Sequence, residues 1–141
     1  MNIVASLRSF VPEDADRVIE LLQDVSTYKP DPAKTPALVR HFTEQVDTHA
    51  CVAITGDRVV GFGSIFMFQR VRGGMSAIIE DIVVENRLRG CGIGRLILND
   101  LLAEARKREC FKISLECGPV AEQFYKATGF EMGGRVMKYL L

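Results

Sequence analysis

The stretch NRLRGCGIGRLIL (residues 86–98) places three glycines and three arginines between two apolar segments. The preceding segment, residues 77–84, predicts a strand, and the leucines and isoleucines that follow the glycines predict a helix. A glycine-rich turn between a strand and a helix leaves several backbone N–H groups unpaired at the positive end of the helix dipole. Such turns bind phosphate, and the stretch therefore predicts an anion site at the start of this helix.

The side chains of the stretch agree with this prediction. Gly92 and Gly94 remove side chains that would prevent a phosphate from approaching the backbone, and Arg87, Arg89 and Arg95 supply charge-assisted donors. The alternative is a helix start that needs only flexible residues. Two nucleotide-binding motifs are excluded by spacing, because no Gly-Lys pair occurs and the third glycine of a dinucleotide fingerprint would fall on Arg95.

Length and composition indicate one globular domain over residues 1–141. Hydrophobic residues make up 48% and charged residues 26% of the chain, which argues against disorder. The 18 Lys+Arg residues balance 18 Asp+Glu residues, so no general attraction to nucleic acid is expected. The apolar runs are too short to cross a bilayer, and no membrane partner is expected.

The cysteines and histidines indicate a reducing compartment and no metal. The four cysteines contain no CxxC pair, and His41 and His49 are not spaced with them as zinc ligands would be. We therefore expect a cytoplasmic protein with reduced thiols and no bound metal.

Hydrophobic periodicity predicts the element order β-α-α-β-β-β-α-β-α-β. The first half contains a strand over residues 3–7, a helix from Pro12, a proline-rich loop over residues 27–36 and a second helix over residues 36–47. The second half contains a hairpin over residues 50–68, a strand over 77–84, a helix to Lys107, a strand over 111–117, a helix over 120–128 and a final strand over 135–140. This order is typical of an α/β fold, with a mixed, mostly antiparallel sheet, helices on both faces and a parallel crossover through residues 77–117.

The pattern Arg89-x-x-Gly92-x-Gly94 resembles the Q/R-x-x-G-x-G/A motif of the GCN5-related N-acetyltransferase (GNAT) family. The resemblance covers essentially the whole chain, including FYKATGF at residues 124–130. It implies the GNAT fold and acetyl-CoA as cosubstrate, with the pyrophosphate at the glycine turn and the pantetheine arm beside the preceding strand. The cofactor-binding residues that it implies are Ile82, Val83, Val84, Arg89, Gly90, Cys91, Gly92, Ile93, Gly94 and Arg95.

Acetyl transfer to an amine needs a neutral amine, a polarised carbonyl and a proton for the departing thiolate. Tyr125 resembles the tyrosine with which this family protonates the sulfur. The alternative is a core tyrosine whose hydroxyl bonds to a backbone carbonyl. Glu80 and Asp81 are the nearest carboxylates to the cofactor strand, and either can bind the ammonium and take its proton or simply form a salt bridge. Because side chains alternate along a strand, only one of the two is expected to face a given side of the sheet.

Three stretches, IEDIVV, FKISLEC and EQFYKATGF, are similar to those of one branch of the family, the glucosamine 6-phosphate N-acetyltransferases. This similarity implies that Glu80 and Asp81 position or deprotonate the amine and that Glu116 holds sugar hydroxyls. Lys138 is either a basic group for a phosphate or a solvated lysine at a sheet edge. Direct attack on a small amine in a ternary complex is expected, with an aminosugar phosphate as the first acceptor. Other acceptors in the family remain open (an aminoalkylphosphonate, a polyamine, an amino-acid-like amine or a protein amine), as does a non-catalytic acyl-CoA-binding module.

Two further expectations concern specificity and assembly. Tyr28, Lys29, Arg70 and Arg72 lie in the loops that are expected to choose among acceptors. The final strand and residues 61–68 of the central hairpin are expected to present sheet edges, which favours a homodimer. Related aminosugar N-acetyltransferases are dimers, and the resemblance therefore also implies a dimer here.

Overall fold

The computed structural model describes residues 3–141, and its sheet takes the strands in chain order. The strands are β1 (Ser6–Ser9), β2 (Thr48–Thr55), β3 (Arg58–Gln69), β4 (Met75–Val84) and β5 (Cys110–Ser114). The helices are α1 (Ala15–Leu22), α2 (Thr35–Glu44), α3 (Ile93–Lys107) and α4 (Pro119–Ala127), with short 3-10 turns at Pro12–Asp14 and Asn86–Leu88.

The sheet is mixed and mostly antiparallel, as the sequence predicts. Strands β1 to β4 pair antiparallel with their neighbours, whereas β4 and β5 pair in parallel. Helix α3 connects these two parallel strands, which confirms the predicted strand–helix–strand crossover.

Helices cover both faces of the sheet. On one face α3 buries Ile97, Leu98 and Leu101 completely against β2, β3 and β4. On the other face Val18 and Leu21 of α1 belong to a separate apolar cluster. The expected placement of helices on both faces is therefore confirmed.

Two glycines of β3 allow α3 to approach the sheet closely. A Cβ atom on Gly63 would lie 2.5 Å from Ile97 Cγ2 and 3.2 Å from Leu101 Cδ1. A Cβ atom on Gly61 would lie 2.9 Å from Ile97 Cδ1. The missing side chains of β3 thus make the space that the branched Ile97 side chain fills.

The predicted final strand does not form. Residues 131–141 contain no strand, and each of them is exposed. The RVMKYL pattern has strand-like alternation, but a strand also needs a neighbouring strand to bond to, and none pairs with this segment in the described chain.

The expected edge at residues 61–68 is also wrong. These residues belong to β3, which lies between β2 and β4 in the middle of the sheet. The edges of the sheet are β1 and β5. The hairpin was predicted correctly, but the sheet continues on both sides of β3, because β2 and β4 both pair with it.

Candidate functional site

The site lies where the two parallel strands separate. Pairing between β4 and β5 ends at Ile78 and Ser114, so that residues 79–84 of β4 have no partner on that side. The predicted strand over residues 111–117 thus ends early, and residues 115–118 diverge from β4. The gap, which we call the β4–β5 cleft, is a cavity of about 740 Å³ lined by residues 79–84 and 115–118 together with side chains of α4.

A bulge in β4 shapes the middle of the cleft. Phe62 pairs with Val83 and Ser64 with Glu80, so that two residues of β4 lie opposite one residue of β3. Asp81, in the bulge, has a φ of +61°, a left-handed conformation that few non-glycine residues adopt. The Ser64 hydroxyl donates a hydrogen bond to the main-chain oxygen of Glu80 at 2.9 Å and ties the bulge to β3.

The bulge interrupts the regular alternation on which the expectation for the Glu80 and Asp81 carboxylates rests. Glu80 and Asp81 both line the β4–β5 cleft. Strict alternation holds for regular extended backbone, and the positive φ of Asp81 breaks that regularity.

The carboxylates of the cleft have perturbed acidities. Partial desolvation raises the pKa of Glu80, and the charges of Asp81 and Glu116 raise it further, whereas Lys138 opposes the shift. Desolvation also raises the pKa of Asp81. A carboxylate with a raised pKa is a stronger base, so the pair is suited to binding an ammonium and accepting a proton from it.

Glu116 and Lys138 lie together at the cleft. The Lys138 ammonium is 2.9 Å from Glu116 Oε1, and both residues line the cavity. Both side chains remain more than half exposed, at 52% for Glu116 and 64% for Lys138, and each is accessible to a ligand.

Tyr125 lines the same cleft from α4. Its ring packs edge-on against Phe124 and Phe130, with centroid distances of 5.0 and 5.7 Å. No protein group in residues 3–141 accepts a hydrogen bond from its hydroxyl; the bonds at this residue involve its main-chain oxygen instead. Burial raises the pKa of Tyr125, and nearby Cys117 adds to the shift, so the phenol stays protonated at neutral pH and can act as a proton donor.

The glycine turn supplies a row of free donors. Gly90 and Gly92 have φ values of +80° and +85°, and a Cβ atom on either would meet nothing within 4 Å. The backbone N–H groups of residues 90–95 have no acceptor in the part of the chain that the structure describes. The backbone at the start of the 15-residue helix α3 is thus accessible, and its unpaired N–H groups are suited to binding a diphosphate.

The arginines of this region differ in their contacts. Arg89 donates to the main-chain oxygen of Val84 at 3.3 Å and to Asp24 at 3.5 Å. Arg87 binds Glu85 at 2.7 Å, whereas Arg95 is exposed at the start of α3. Arg95 is therefore the one of the three whose side chain has no hydrogen bond or ion pair within residues 3–141.

The structure brings one group of the predicted residues into the cleft and places the others next to it. The cleft is lined by Glu80, Asp81, Ile82, Val83, Val84, Arg89, Glu116 and Tyr125. The remaining predicted residues form the turn and the start of α3 and do not line the cleft: Gly90, Cys91, Gly92, Ile93, Gly94 and Arg95. Within this second group Ile93 is buried in the core and Cys91 is exposed.

Several cleft residues were missed by sequence reasoning, among them Asp24, Val25 and Cys117. Val25 lies beyond the end of α1 at Leu22 and is 50% exposed. Cys117 directly follows Glu116 in the sequence, so the role predicted for Glu116 could have indicated that Cys117 lies at the site as well.

No group of three His, Cys, Asp or Glu side chains in residues 3–141 is arranged to hold a metal ion. Among the described helices, none has the length and apolar character required to cross a membrane.

Comparison with known proteins assigns the family. Residues 15–130 match the model of the acetyltransferase (GNAT) family. Glucosamine 6-phosphate N-acetyltransferase 1 of Dictyostelium discoideum is 30% identical, over 99% of this chain and 95% of that protein. The Trypanosoma brucei brucei glucosamine 6-phosphate N-acetyltransferase is 33% identical over 62% of this chain, which spans only 60% of that relative.

A solved structure agrees with this match. The crystal structure of a Trypanosoma brucei acetyltransferase superposes with a TM-score of 0.87 at 25% identity, over 98% of this chain and 100% of that one. The family match includes the parted strands, the glycine turn and Tyr125. The chain thus belongs to the acetyltransferase (GNAT) family and is an N-acetyltransferase.

Proposed function

We propose that this enzyme transfers the acetyl group of acetyl-CoA to the primary amine of a small molecule, by direct attack in a ternary complex. The observation that carries the proposal is the continuity of the site. The β4–β5 cleft holds two carboxylates and a tyrosine, and the strand that forms its wall leads directly into the row of unpaired N–H groups at residues 90–95.

Each group of the site has a role in this reaction. When bound, acetyl-CoA supplies an activated acetyl thioester. The N–H groups of the glycine turn bind the diphosphate, and free N–H groups along β4 bond to the arm and polarise the carbonyl. Glu80 and Asp81 bind the acceptor ammonium and take up its proton, and the Tyr125 hydroxyl donates its proton to the sulfur.

Glucosamine 6-phosphate is the first acceptor to test, because the two relatives described above carry that activity in their names. In this assignment Glu116 binds sugar hydroxyls. Lys138, next to Glu116 at the cleft, supplies a cation for the phosphate.

The proposal is tested by two measurements on the same preparation. Calorimetry should detect binding of acetyl-CoA and of CoA. Loss of thioester absorbance should then follow addition of an amine from a panel that includes glucosamine 6-phosphate, polyamines and aminoalkylphosphonates. Absence of any heat with both coenzymes would overturn the proposal.

A non-catalytic acyl-CoA-binding module is the second candidate, because free N–H groups at the turn suffice for binding. It would be the better description if acetyl-CoA bound, no amine or peptide in a broad panel were acetylated, and Tyr125→Phe bound the coenzyme as tightly as the natural chain.

We also propose that the protein is a homodimer. Residues 61–68 carry no part of this proposal, because they lie in the middle of the sheet. The outer edge of β5 is unpaired within the described chain, and the apolar segment of residues 131–141 is exposed, with Met137 95% and Tyr139 89% accessible. A second copy would cover both features. Light scattering after size exclusion should give twice the chain mass, and a monomer at all concentrations would contradict the proposal.

A further inference from the structure

A buried serine of β3 contacts the main chain of the β4 bulge. Ser64 pairs with Glu80 across the two strands, and its hydroxyl donates to the main-chain oxygen of Glu80 at 2.9 Å. Of the side-chain hydrogen bonds within residues 3–141, it is the only one that reaches the main chain of residues 79–83. The Ser64 side chain is therefore the contact that can hold the bulge in place.

Burial makes this hydrogen bond difficult to replace. Ser64 is 1% exposed, although serine is mostly a surface residue in folded proteins. Water has little access to this position, so loss of the hydroxyl would remove a donor that solvent cannot readily supply.

The backbone that Ser64 contacts has an unfavourable conformation. Asp81 has a φ of +61°, and a non-glycine residue keeps such a conformation only where the surrounding structure fixes it. Gly63, which precedes Ser64, has no side chain with which to bond to the bulge. The Ser64 hydroxyl therefore opposes relaxation of the bulge toward a regular strand.

The two carboxylates of the bulge depend on this backbone for their positions. Neither Glu80 nor Asp81 forms a side-chain hydrogen bond or an ion pair within residues 3–141, and Lys138 is paired with Glu116 instead. Since no protein partner orients the two carboxylates, the main chain decides that both residues line the β4–β5 cleft.

We propose that Ser64 is a positioning residue for the acetyl transfer. Its hydroxyl fixes the main chain of the bulge and thereby holds the carboxylates of Glu80 and Asp81 where they meet the acceptor amine. This inference rests on the proposed function, which assigns those two carboxylates to the amine. Ser64 itself does not line the β4–β5 cleft, so it acts through residues 80 and 81.

Ser76 provides a matched control within the same pair of strands. It is also 1% exposed, it lies in β4 opposite Phe68, and its hydroxyl oxygen accepts a hydrogen bond from Arg70 Nε at 2.7 Å. Neither Ser76 nor Arg70 lines the β4–β5 cleft. Ser64→Ala and Ser76→Ala each remove one buried hydroxyl with one side-chain hydrogen bond, but only the first change affects the bulge.

NMR titration of the carboxyl carbons tests the inference without requiring turnover. In Ser64→Ala the bulge should relax and admit water, which favours the charged carboxylates. The pKa of Glu80, of Asp81 or of both should therefore fall toward the ordinary range by about half a pH unit or more. The charges that act on Glu80, those of Asp81, Glu116 and Lys138, stay in place in every variant. Ser76→Ala should titrate as the natural chain does.

Ser64→Thr tests whether the hydroxyl is the group that matters. Threonine keeps the donor and suits a strand, and Ser64 borders a cavity of about 200 Å³ that has room for the added methyl group. Ser64→Thr should therefore titrate as the natural chain does. Ser64→Cys, with a weaker donor of similar shape, serves if the alanine variant does not fold and should change the titration in the same direction.

Kinetics with acetyl-CoA and glucosamine 6-phosphate, or the best acceptor in the panel if that amine is not acetylated, supply the second readout. Ser64→Ala should lower kcat about 10-fold because the carboxylates are misplaced. Calorimetry should give an unchanged Kd for acetyl-CoA, since the N–H groups of residues 90–95 do not depend on Ser64. A variant that is merely less stable would not divide the two quantities in this way.

The outcomes separate this inference from the proposed function. An unchanged titration in both Ser64→Ala and Ser64→Cys would overturn the inference, as would an equal change in Ser76→Ala or a changed titration with an unchanged kcat. If the natural chain binds acetyl-CoA but acetylates no amine, the proposed function fails, and the titration alone then decides whether Ser64 positions the two carboxylates.

Discussion

The Tyr125 hydroxyl is the one polar group of α4 that lines the β4–β5 cleft without a partner in the described chain. Its ring is fixed between Phe124 and Phe130, so loss of the oxygen should not move the ring. We predict that Tyr125→Phe lowers kcat about 100-fold, the typical contribution of a positioned general acid, with little change in acetyl-CoA binding. Steady-state kinetics and calorimetry measure the two effects.

Tyr139 provides the matched control for this substitution. It is 89% exposed and does not line the cleft, so Tyr139→Phe should retain the natural rate. A Tyr125→Phe enzyme with unchanged kcat would show that the sulfur receives its proton from another donor.

The carboxylates of the cleft predict a pH dependence. The pKa values of Glu80 and Asp81 are raised, so each group loses its proton only above the ordinary carboxyl range. A base must be deprotonated to act, and kcat/KM should therefore rise with pH through an acid limb displaced upward from that range. Asp81→Asn should lower the rate and move this limb. A profile flat down to the ordinary carboxyl range would contradict a role for either group.

Single residues were predictable where chemistry follows from type and local position. Tyr125, Glu80 and Glu116, which the sequence predicts as site residues, all line one cavity, and each lies on or just after a strongly patterned element. The conformation of Asp81 was not predictable, since its positive φ depends on the register between β4 and the residue opposite it in β3. The sequence of β4 alone does not contain that register.

At the scale of elements, the contact between β3 and α3 gives a stability prediction. A methyl group on Gly63 would overlap Ile97 Cγ2, and the β-branched side chain has little rotamer freedom in a helix. Gly63→Ala should therefore reduce the free energy of unfolding by about 2 kcal/mol, as overpacked cores do. Urea denaturation measures this change.

Gly133 supplies the control, because a Cβ atom there meets only one atom, at 4.0 Å. Gly133→Ala should leave the unfolding free energy nearly unchanged. Gly63→Ala should cost less in an Ile97→Ala background than in the natural chain, since that alanine removes the Cγ2 methyl from the crowded contact. Additive losses in the double variant would place the strain elsewhere.

Elements with local signals were predictable, and those that depend on distant partners were not. The glycine turn, α3 and the parallel crossover follow from periodicity and from turn residues near in sequence. The end of β5 at Ser114 does not, because it depends on where its pairing with β4 stops. The absence of a strand at residues 135–140 was likewise not predictable, because it depends on whether a neighbouring strand is available to pair with this segment.

For the whole molecule, ligand binding should increase the free energy of unfolding. A coenzyme that bridges the parted strands and the start of α3 binds only the folded chain, and at 100 times its Kd it adds about 2.7 kcal/mol to the unfolding free energy. We predict that acetyl-CoA raises the Tm of the natural chain. Thermal melts with and without the coenzyme provide the measurement.

Two glycines with similar backbones make this prediction specific. Gly92 and Gly73 have φ values of +85° and +93°, and alanine at either site pays roughly 1–2 kcal/mol for a left-handed conformation. Gly73 precedes β4 at the end opposite the glycine turn. Both variants should lose intrinsic stability, but only Gly92→Ala should lose the increase in Tm with acetyl-CoA. An equal increase in both would exclude the turn as the diphosphate site.

The overall architecture was predictable because alternation and helical periodicity recur along most of the chain. The contact of Phe10 with Phe42 and Phe62 was not, because the three rings come from separate segments that meet only after α1 and α2 pack on the sheet. Contacts of this kind depend on tertiary packing that no local pattern encodes.

The separation of β4 from β5 also divides the backbone amides of β4 into two groups that should differ in their rate of hydrogen exchange. Successive amides of β4 point toward opposite edges, and beyond Ile78 those directed at β5 have no carbonyl to bond. Amides bonded to β3 should exchange with deuterium slowly, whereas those facing the gap should exchange rapidly until a ligand protects them. Deuterium uptake of β4, followed by mass spectrometry or NMR, would then measure two properties in one time course. The slow amides would report global unfolding, and the rapid amides would report occupancy of the site.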